Sequence, residues 1–289
     1  MTRTLLVLCG LLITVADLAI GQARRPRTEI YEFAAAANDA RAIWVNPAGL
    51  GAVLEASVMG EVVLEWDETD RTRMSQWMLG FNSHGLGFAY QRDRFVDDPT
   101  TIIEDSRSVD AFRLGVSLPF EKGELGGSAT MYRGGDEGTQ WGWDIGLRYG
   151  LGSKVTLAGV LRNIGRPVAL EVPIPFGGTV GFTWLPAPTI LEMSAEVQLA
   201  ERIGTSGMDA LYRGGIRYSP SAEFPFTLFT ALSLGGAFRF DQWALGVSFG
   251  KKARGVVVAS GPVDSGSIGF DRFSMAGVVS HTAVRPPRP

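Results

Sequence analysis

The sequence predicts an all-β chain: a transmembrane, up-and-down antiparallel β-barrel of about fourteen strands with a short N-terminal helical hatch in its lumen. Three observations carry that prediction. Apolar residues recur at every second position in many short segments. Longer and shorter connections alternate between those segments. The face opposite the apolar one carries charges that a dry protein core would tolerate only in pairs.

The 289-residue chain opens on MTRTLLVLCGLLITVADLAIGQA. Arg3 supplies a positive leader, Leu5 to Val15 an apolar stretch, and Gly21-Gln22-Ala23 a small-x-small cleavage site, so residues 1–23 read as a secretory signal peptide. A membrane-anchor helix is disfavoured because the apolar run is short and Asp17 interrupts it. Cys9, the single cysteine, lies inside this peptide, and the apolar stretch continues past it, which argues against a lipoprotein signal. The processed chain is therefore expected to be free of thiols, which excludes disulfides, cysteine zinc sites and a cysteine nucleophile. With 27 Lys and Arg against 30 Asp and Glu, nothing points to a nucleic-acid partner.

Residues 24–52 are expected to form the hatch. Phe33 to Trp44 holds strong helix formers with no Pro or Gly, so a short helix is expected there. Asn46-Pro47 then signals a turn, and Gly49 frees the backbone two residues later. Most side chains here are methyl groups, which lets the backbone lie close against a wall.

Residues 53–280 are expected to form the barrel. The clearest strand is WGWDIGLRY, where Trp141, Trp143, Ile145, Leu147 and Tyr149 share one face while Gly142, Asp144, Gly146 and Arg148 share the other. Phe112, Leu114, Val116 and Leu118 oppose Ala111, Arg113, Gly115 and Ser117. Leu191, Met193, Ala195, Val197 and Leu199 oppose Glu192, Ser194, Glu196 and Gln198. Trp243, Leu245, Val247 and Phe249 oppose Ala244, Gly246 and Ser248. Weaker alternation runs through 85–91, 155–162, 179–184 and 212–218. The stretch from Thr227 to Phe240 is ambiguous, which leaves twelve strands open beside fourteen.

Long or polar connections near 67–72, 93–108, 133–140, 163–176 and 200–208 alternate with shorter ones near 82–84, 120–123, 150–153, 185–189 and 219–225, the order of an outer-membrane barrel. Trp141 and Tyr149 are eight steps apart on one face, about 20 Å of height in a tilted strand, close to an apolar membrane band. Trp77, Phe81, Tyr90, Trp184, Tyr218 and Phe249 are expected near strand ends, where a membrane interface favours amphipathic rings. The candidate lumen-facing charges are Arg113, Asp144, Arg148, Glu192, Glu196, Arg213 and Arg217. A soluble sheet with these charges in water would need a second layer over its apolar face, and no helices are expected to supply one. The last segment, 281–289, reads as a C-terminal tail.

The hatch also carries a resemblance. Ala37, Asn38, Asp39, Ala40, Ala42, Asn46, Pro47, Ala48, Gly49 and Leu50 form a motif A-N-D-A-x-A-x-x-x-N-P-A-G-L behind a signal peptide. It resembles FadL-like outer-membrane proteins, and most closely their PorV/PorQ-like relatives. The stretches at 155–186, YRGGIRY at 212–218 and DRFSMAGVV at 271–279 are similar too, so the resemblance spans nearly the whole processed chain. It implies a fourteen-stranded barrel with Asn38, Asp39, Asn46, Pro47, Gly49 and Leu50 in the hatch. It implies one of two roles: work with protein partners in secretion or surface attachment of exported proteins, or passage of hydrophobic small molecules across the outer membrane. The chain departs from both groups in its modest outer loops and in ending on HTAVRPPRP instead of an aromatic strand terminus.

Catalytic chemistry is not expected. His84 falls in a turn and His281 near the tail, and no nucleophile, base and orienting acid can be assembled around either. Glu192 and Glu196 are four residues apart on one strand face, about 13 Å, beyond the usual spacing of paired glycosidase carboxylates. The acidic GGDEG (134–138) and VDDP (96–99) lack the spacing of a calcium loop. No cofactor or metal is expected. The expected partners are outer-membrane lipid and either a secretion or surface protein or a hydrophobic small molecule.

Overall fold

Alternation of apolar and polar side chains is realised in fourteen long strands. The computed structural model of the chain describes residues 25–53, 55–66, 72–96, 106–135, 138–204, 206–220, 225–236, 238–250, 252–264 and 267–282. The expected signal peptide with Cys9, Asp97 to Pro99 of the acidic VDDP stretch, and the tail beyond Thr282 lie outside these residues. The strands are β1 (Glu55–Trp66), β2 (Thr72–Ser83), β3 (Leu86–Val96), β4 (Ser106–Phe120), β5 (Gly123–Arg133), β6 (Thr139–Leu151), β7 (Val155–Ile164), β8 (Gly177–Ala187), β9 (Leu191–Glu201), β10 (Met208–Tyr218), β11 (Phe226–Leu234), β12 (Phe240–Phe249), β13 (Ala253–Asp264) and β14 (Arg272–Thr282). Each pairs antiparallel with its sequence neighbours, and β14 pairs with β1, so the sheet closes with no free edge. The ambiguous stretch divides into β11 and β12, which settles the count at fourteen.

The outward face is apolar and the inward face polar. Leu114 is 59% exposed and Val180 71%, whereas Arg113 and Asp144 are 6% and 5% exposed. Large aliphatic side chains facing out and charged ones facing in is the reverse of a water-soluble fold; it suits a wall standing in lipid. Tight reversals join the strands at one end, as at His84-Gly85, where both residues have positive φ. Connection 219–225, expected among the short ones, is as long as connection 265–271 at the opposite end. Trp77 and Tyr90 do not lie near strand ends. They sit mid-strand, their rings 4.7 Å apart, with Phe112 4.9 Å from Tyr90. Packing between neighbouring strands explains these rings better than an interfacial girdle does.

The segment before β1 fills much of the lumen. It contains α1 (Thr28–Tyr31), α2 (Ala42–Val45) and a 3₁₀ turn over Pro47–Gly51. The continuous helix expected over Phe33 to Trp44 is not formed; the chain turns irregularly between α1 and α2. A helix that short is marginal by itself, and the barrel wall offers its backbone other partners. The Ala34 amide donates to Glu196 Oε2 at 2.9 Å and the Ala40 amide to Ser57 Oγ at 2.8 Å. Arg148 donates twice to the Ala35 carbonyl, at 2.9 and 3.2 Å, and Arg162 to the Trp44 and Val45 carbonyls.

Candidate functional site

The Asn46-Pro47 turn is built by its own residues. Asn46 holds extended backbone, as a residue before proline prefers, and its Oδ1 accepts from the Ala48 amide at 3.1 Å. Its Nδ2 donates to the Ala34 carbonyl at 2.9 Å, tying the turn to the middle of the plug. Pro47 opens the turn where an amide proton would go unused. Gly49 runs so close to Ala37 that a Cβ would stand 2.2 Å from its carbonyl oxygen.

The wall is carved to receive this turn. A Cβ on Gly146 would lie 2.0 Å from Asn46 Oδ1, and one on Gly126 2.4 Å from the Ala48 amide nitrogen. A Cβ on Gly80 would lie 2.7 Å from the Trp44 ring. No real side-chain carbon approaches so closely, so these inward glycines form the seat of the plug. Leu50, Ile43 and Trp44 are fully buried on that seat with Met59, Met78 and Val278. Each such side chain stabilises the docked plug by about 1.5–3 kcal/mol relative to exposure.

Ion pairs lock the plug laterally. Asp39 accepts two bonds from Arg41 Nε, at 3.0 and 3.2 Å, and one from its Nη2 at 2.7 Å, and Arg254 reaches it at 3.0 Å. Burial alone would raise the Asp39 carboxyl, but these two guanidinium groups outweigh it and hold the group well below the ordinary carboxylate range. Arg41 also pairs with Glu32, which accepts from Arg217 at 3.0 Å. Burial would lower the Arg41 pKa, yet Asp39 and Glu32 push it well above the usual value.

The candidate residues divide into three sets. Arg148, Glu196, Arg213 and Arg217 grip the plug: Arg213 pairs with Glu196, donates to the Ile30 carbonyl at 2.7 Å and lies 4.8 Å over the Phe33 ring. Glu192 reaches the plug only through Arg217, at 3.5 Å. Arg113 and Asp144 pair with each other at 3.1 Å higher in the lumen, away from the plug turn. In the hatch motif, Asp39, Asn46, Pro47, Gly49 and Leu50 are buried while Asn38 is exposed.

Several contacts were not among the candidates. Arg27 is buried and donates to Ser260 Oγ at 2.5 Å and Ser274 Oγ at 3.3 Å. The Tyr31 hydroxyl donates to Glu61 at 3.0 Å. Arg162 meets Glu29 at 2.5 Å as well as the two plug carbonyls. Inward parity on the 155–162 segment marks Arg162 in retrospect. In β1 the inward face alternates Ser57, Met59, Glu61 and Val63, a mixture that hides Glu61.

Above the plug the lumen opens into a cavity of about 730 Å³. Its floor is Arg25, Pro26 and Glu29, and its wall includes the Arg113–Asp144 pair, Arg162, Tyr132 and Thr179. Part of the wall comes from connection 165–176, whose short hairpin (Val168–Ala169 with Val172–Pro173) turns into the barrel. Leu170 and Glu171 take positive φ to make that reversal, and Leu170 and Ile174 pack on Phe95, Val109 and Tyr132. A register shift between β6 and β7 turns Asn163 inward, with φ of 53°, so that its amide donates to Asp144 at 2.8 Å. Lower down, a second space between Phe33 and Gly215 holds only about 10 Å³, less than a ligand needs. Among the described residues no group of three or more metal-ligating side chains occurs. His84 lies in a turn beside Ser83. The lumen carboxylates named above are held by a cation or an amide, except Glu61, which accepts from the Tyr31 hydroxyl.

No protein-family profile and no curated protein sequence matches the chain. Solved structures do. The toluene transporter TbuX of Ralstonia pickettii superposes with a TM-score of 0.58 at 12% identity, over 90% of this chain and 98% of that one. The monoaromatic hydrocarbon channel CymD gives 0.60 at 11%, over 89% and 96%. A Pseudomonas aeruginosa FadL homologue gives 0.53 at 10%, over 90% and 98%. At such identities the likeness is one of fold alone, that of a closed antiparallel barrel, and the PorV/PorQ resemblance finds no support in these matches.

Proposed function

We propose that this protein is a non-enzymatic outer-membrane conduit that takes up small hydrophobic or amphiphilic molecules from outside the cell. The observation that carries the reading is the cavity of about 730 Å³ in a lumen that is otherwise plugged. Its size falls in the range of small-molecule sites, and charged and polar side chains share its lining with apolar ones such as Ile174, Pro175 and Leu199. The structural neighbours, two of them described as a toluene transporter and a hydrocarbon channel, support the same reading. The strands with an apolar outer face suit residence in the outer membrane, with cleavage of residues 1–23 on export and the hatch at 24–52 as an internal plug. A secretion or surface-attachment role has no support in the lumen geometry or the neighbours.

Uptake of labelled toluene by cells carrying the protein in their outer membrane tests the proposal. Faster uptake than in cells lacking it is expected, and it should slow when Thr179, on the cavity wall, is changed to Trp. Equal uptake with and without the protein, for labelled benzoate as well as for toluene, overturns the proposal.

A further inference from the structure

We infer that the outward cavity reads a negative charge: its ligand carries one anionic head group, a carboxylate, on a compact apolar body, and Arg25 holds that head. This rests on the uptake function proposed above and narrows its substrate class.

Of the four arginines that line the cavity, Arg25 is the one with no carboxylate partner among the described residues. Arg113 is matched by Asp144 and Arg162 by Glu29. At the rim, Arg202 is matched by Asp209 and Arg166 by Glu201. Arg25 is exposed to the cavity, and its guanidinium makes one hydrogen bond, at 2.9 Å, to the neutral Gln198 amide oxygen. Burial within the barrel lowers its pKa first. Glu29 opposes that shift, Arg162 and Arg213 add to it, and Asp241 opposes it. A cation in that field gains from an arriving anion.

A second cation on the same wall has a donor that lacks an acceptor. Arg113 is 6% exposed and lines the cavity, and its buried Nε has no hydrogen-bond partner. A buried charged donor left unpaired costs free energy, so a ligand oxygen that reached it would be favoured. Tyr132, Ile174 and Pro175 give the same cavity an apolar side for the rest of the molecule. A neutral hydrocarbon would use that side and leave the Arg25 charge and the Arg113 Nε unmet.

Calorimetric titration of the purified full-length barrel in detergent, with benzoate and with toluene as probes, tests the inference. Benzoate is expected to bind more tightly than toluene. Arg25→Gln should weaken benzoate about tenfold or more, while Arg25→Lys, which keeps the charge, recovers most of the loss. Toluene binding as tightly as benzoate, or benzoate unaffected by Arg25→Gln, overturns the inference and leaves the conduit reading standing. Failure of both probes to bind a barrel whose plug is still protected from protease overturns both.

Discussion

The two ends of the lumen use the same wall in opposite ways. Around Asn46 to Leu50 the wall gives up its side chains: Gly80, Gly126 and Gly146 let plug backbone and rings approach to distances that a Cβ would forbid. Around Arg25 and Glu29 the wall keeps long side chains, among them Arg113, Tyr132 and Arg162, and they hold space open instead of filling it. One end is a seat and the other a cavity. Close packing makes the first rigid and sensitive to volume. Unmatched charge makes the second receptive.

Several substitutions would break or sharpen that comparison. The largest effect is expected at the seat. Gly146→Val places carbon where Asn46 Oδ1 lies, and expulsion of the turn should expose residues 30–50 to protease. Pro47→Ala with Gly49→Val should act in the same direction, because a Cβ at position 49 meets the Ala37 carbonyl. Unchanged protection in either variant would show that the seat does not hold the plug. The same bulk in the cavity, as in Thr179→Trp, should leave plug protection intact.

Next in size is the lateral lock. Glu196→Ala strands Arg213 and frees the Ala34 amide, at a cost of about 3–5 kcal/mol, read as a fall in the unfolding midpoint. The pH response has a defined sign. Because the Asp39 carboxyl is held below its ordinary value, its contribution to stability is full above about pH 4 and is lost as pH falls further. Plug protection should therefore be the same at pH 8 and pH 6 and weaken in acid, less so in Asp39→Asn, which is already weakened at neutral pH. A smaller change is expected for Asn46→Ala, about 1 kcal/mol for the lost cap with a further loss from the freed Ala34 carbonyl. Smallest is Glu201→Gln, which removes an exposed pair with Arg166 and should leave the unfolding midpoint unchanged within error.

Much of the fold was legible because a membrane barrel writes its two faces in alternate letters. The strand at 139–151 shows it best: each apolar residue from Trp141 to Leu147 faces out and each polar or small residue between them faces in. Parity placed Arg113, Asp144, Arg148, Glu196 and Arg213 on the inner wall, but parity says nothing of height or partner. It could not tell that Arg113 meets Asp144 while Arg148 meets a plug carbonyl. The plug itself was legible as small and close-fitting, but its backbone conformation was not, because wall side chains satisfy the Ala34, Ala35 and Ala40 backbone groups in place of a helical ladder. The cavity was invisible for the same reason. It depends on an inward-turning connection and a register shift at Asn163, features with no two-residue period.

The central claim, a cavity open to the outside above a sealed seat, is tested most directly by single cysteines in a Cys9→Ser background, labelled on intact cells with a membrane-impermeant maleimide. The account predicts that Asn163→Cys labels readily and is shielded when ligand fills the cavity, while Ala48→Cys stays unlabelled until the barrel is unfolded. Labelling of Ala48→Cys from outside at the rate of Asn163→Cys would mean that the lumen is open throughout, and would contradict the account.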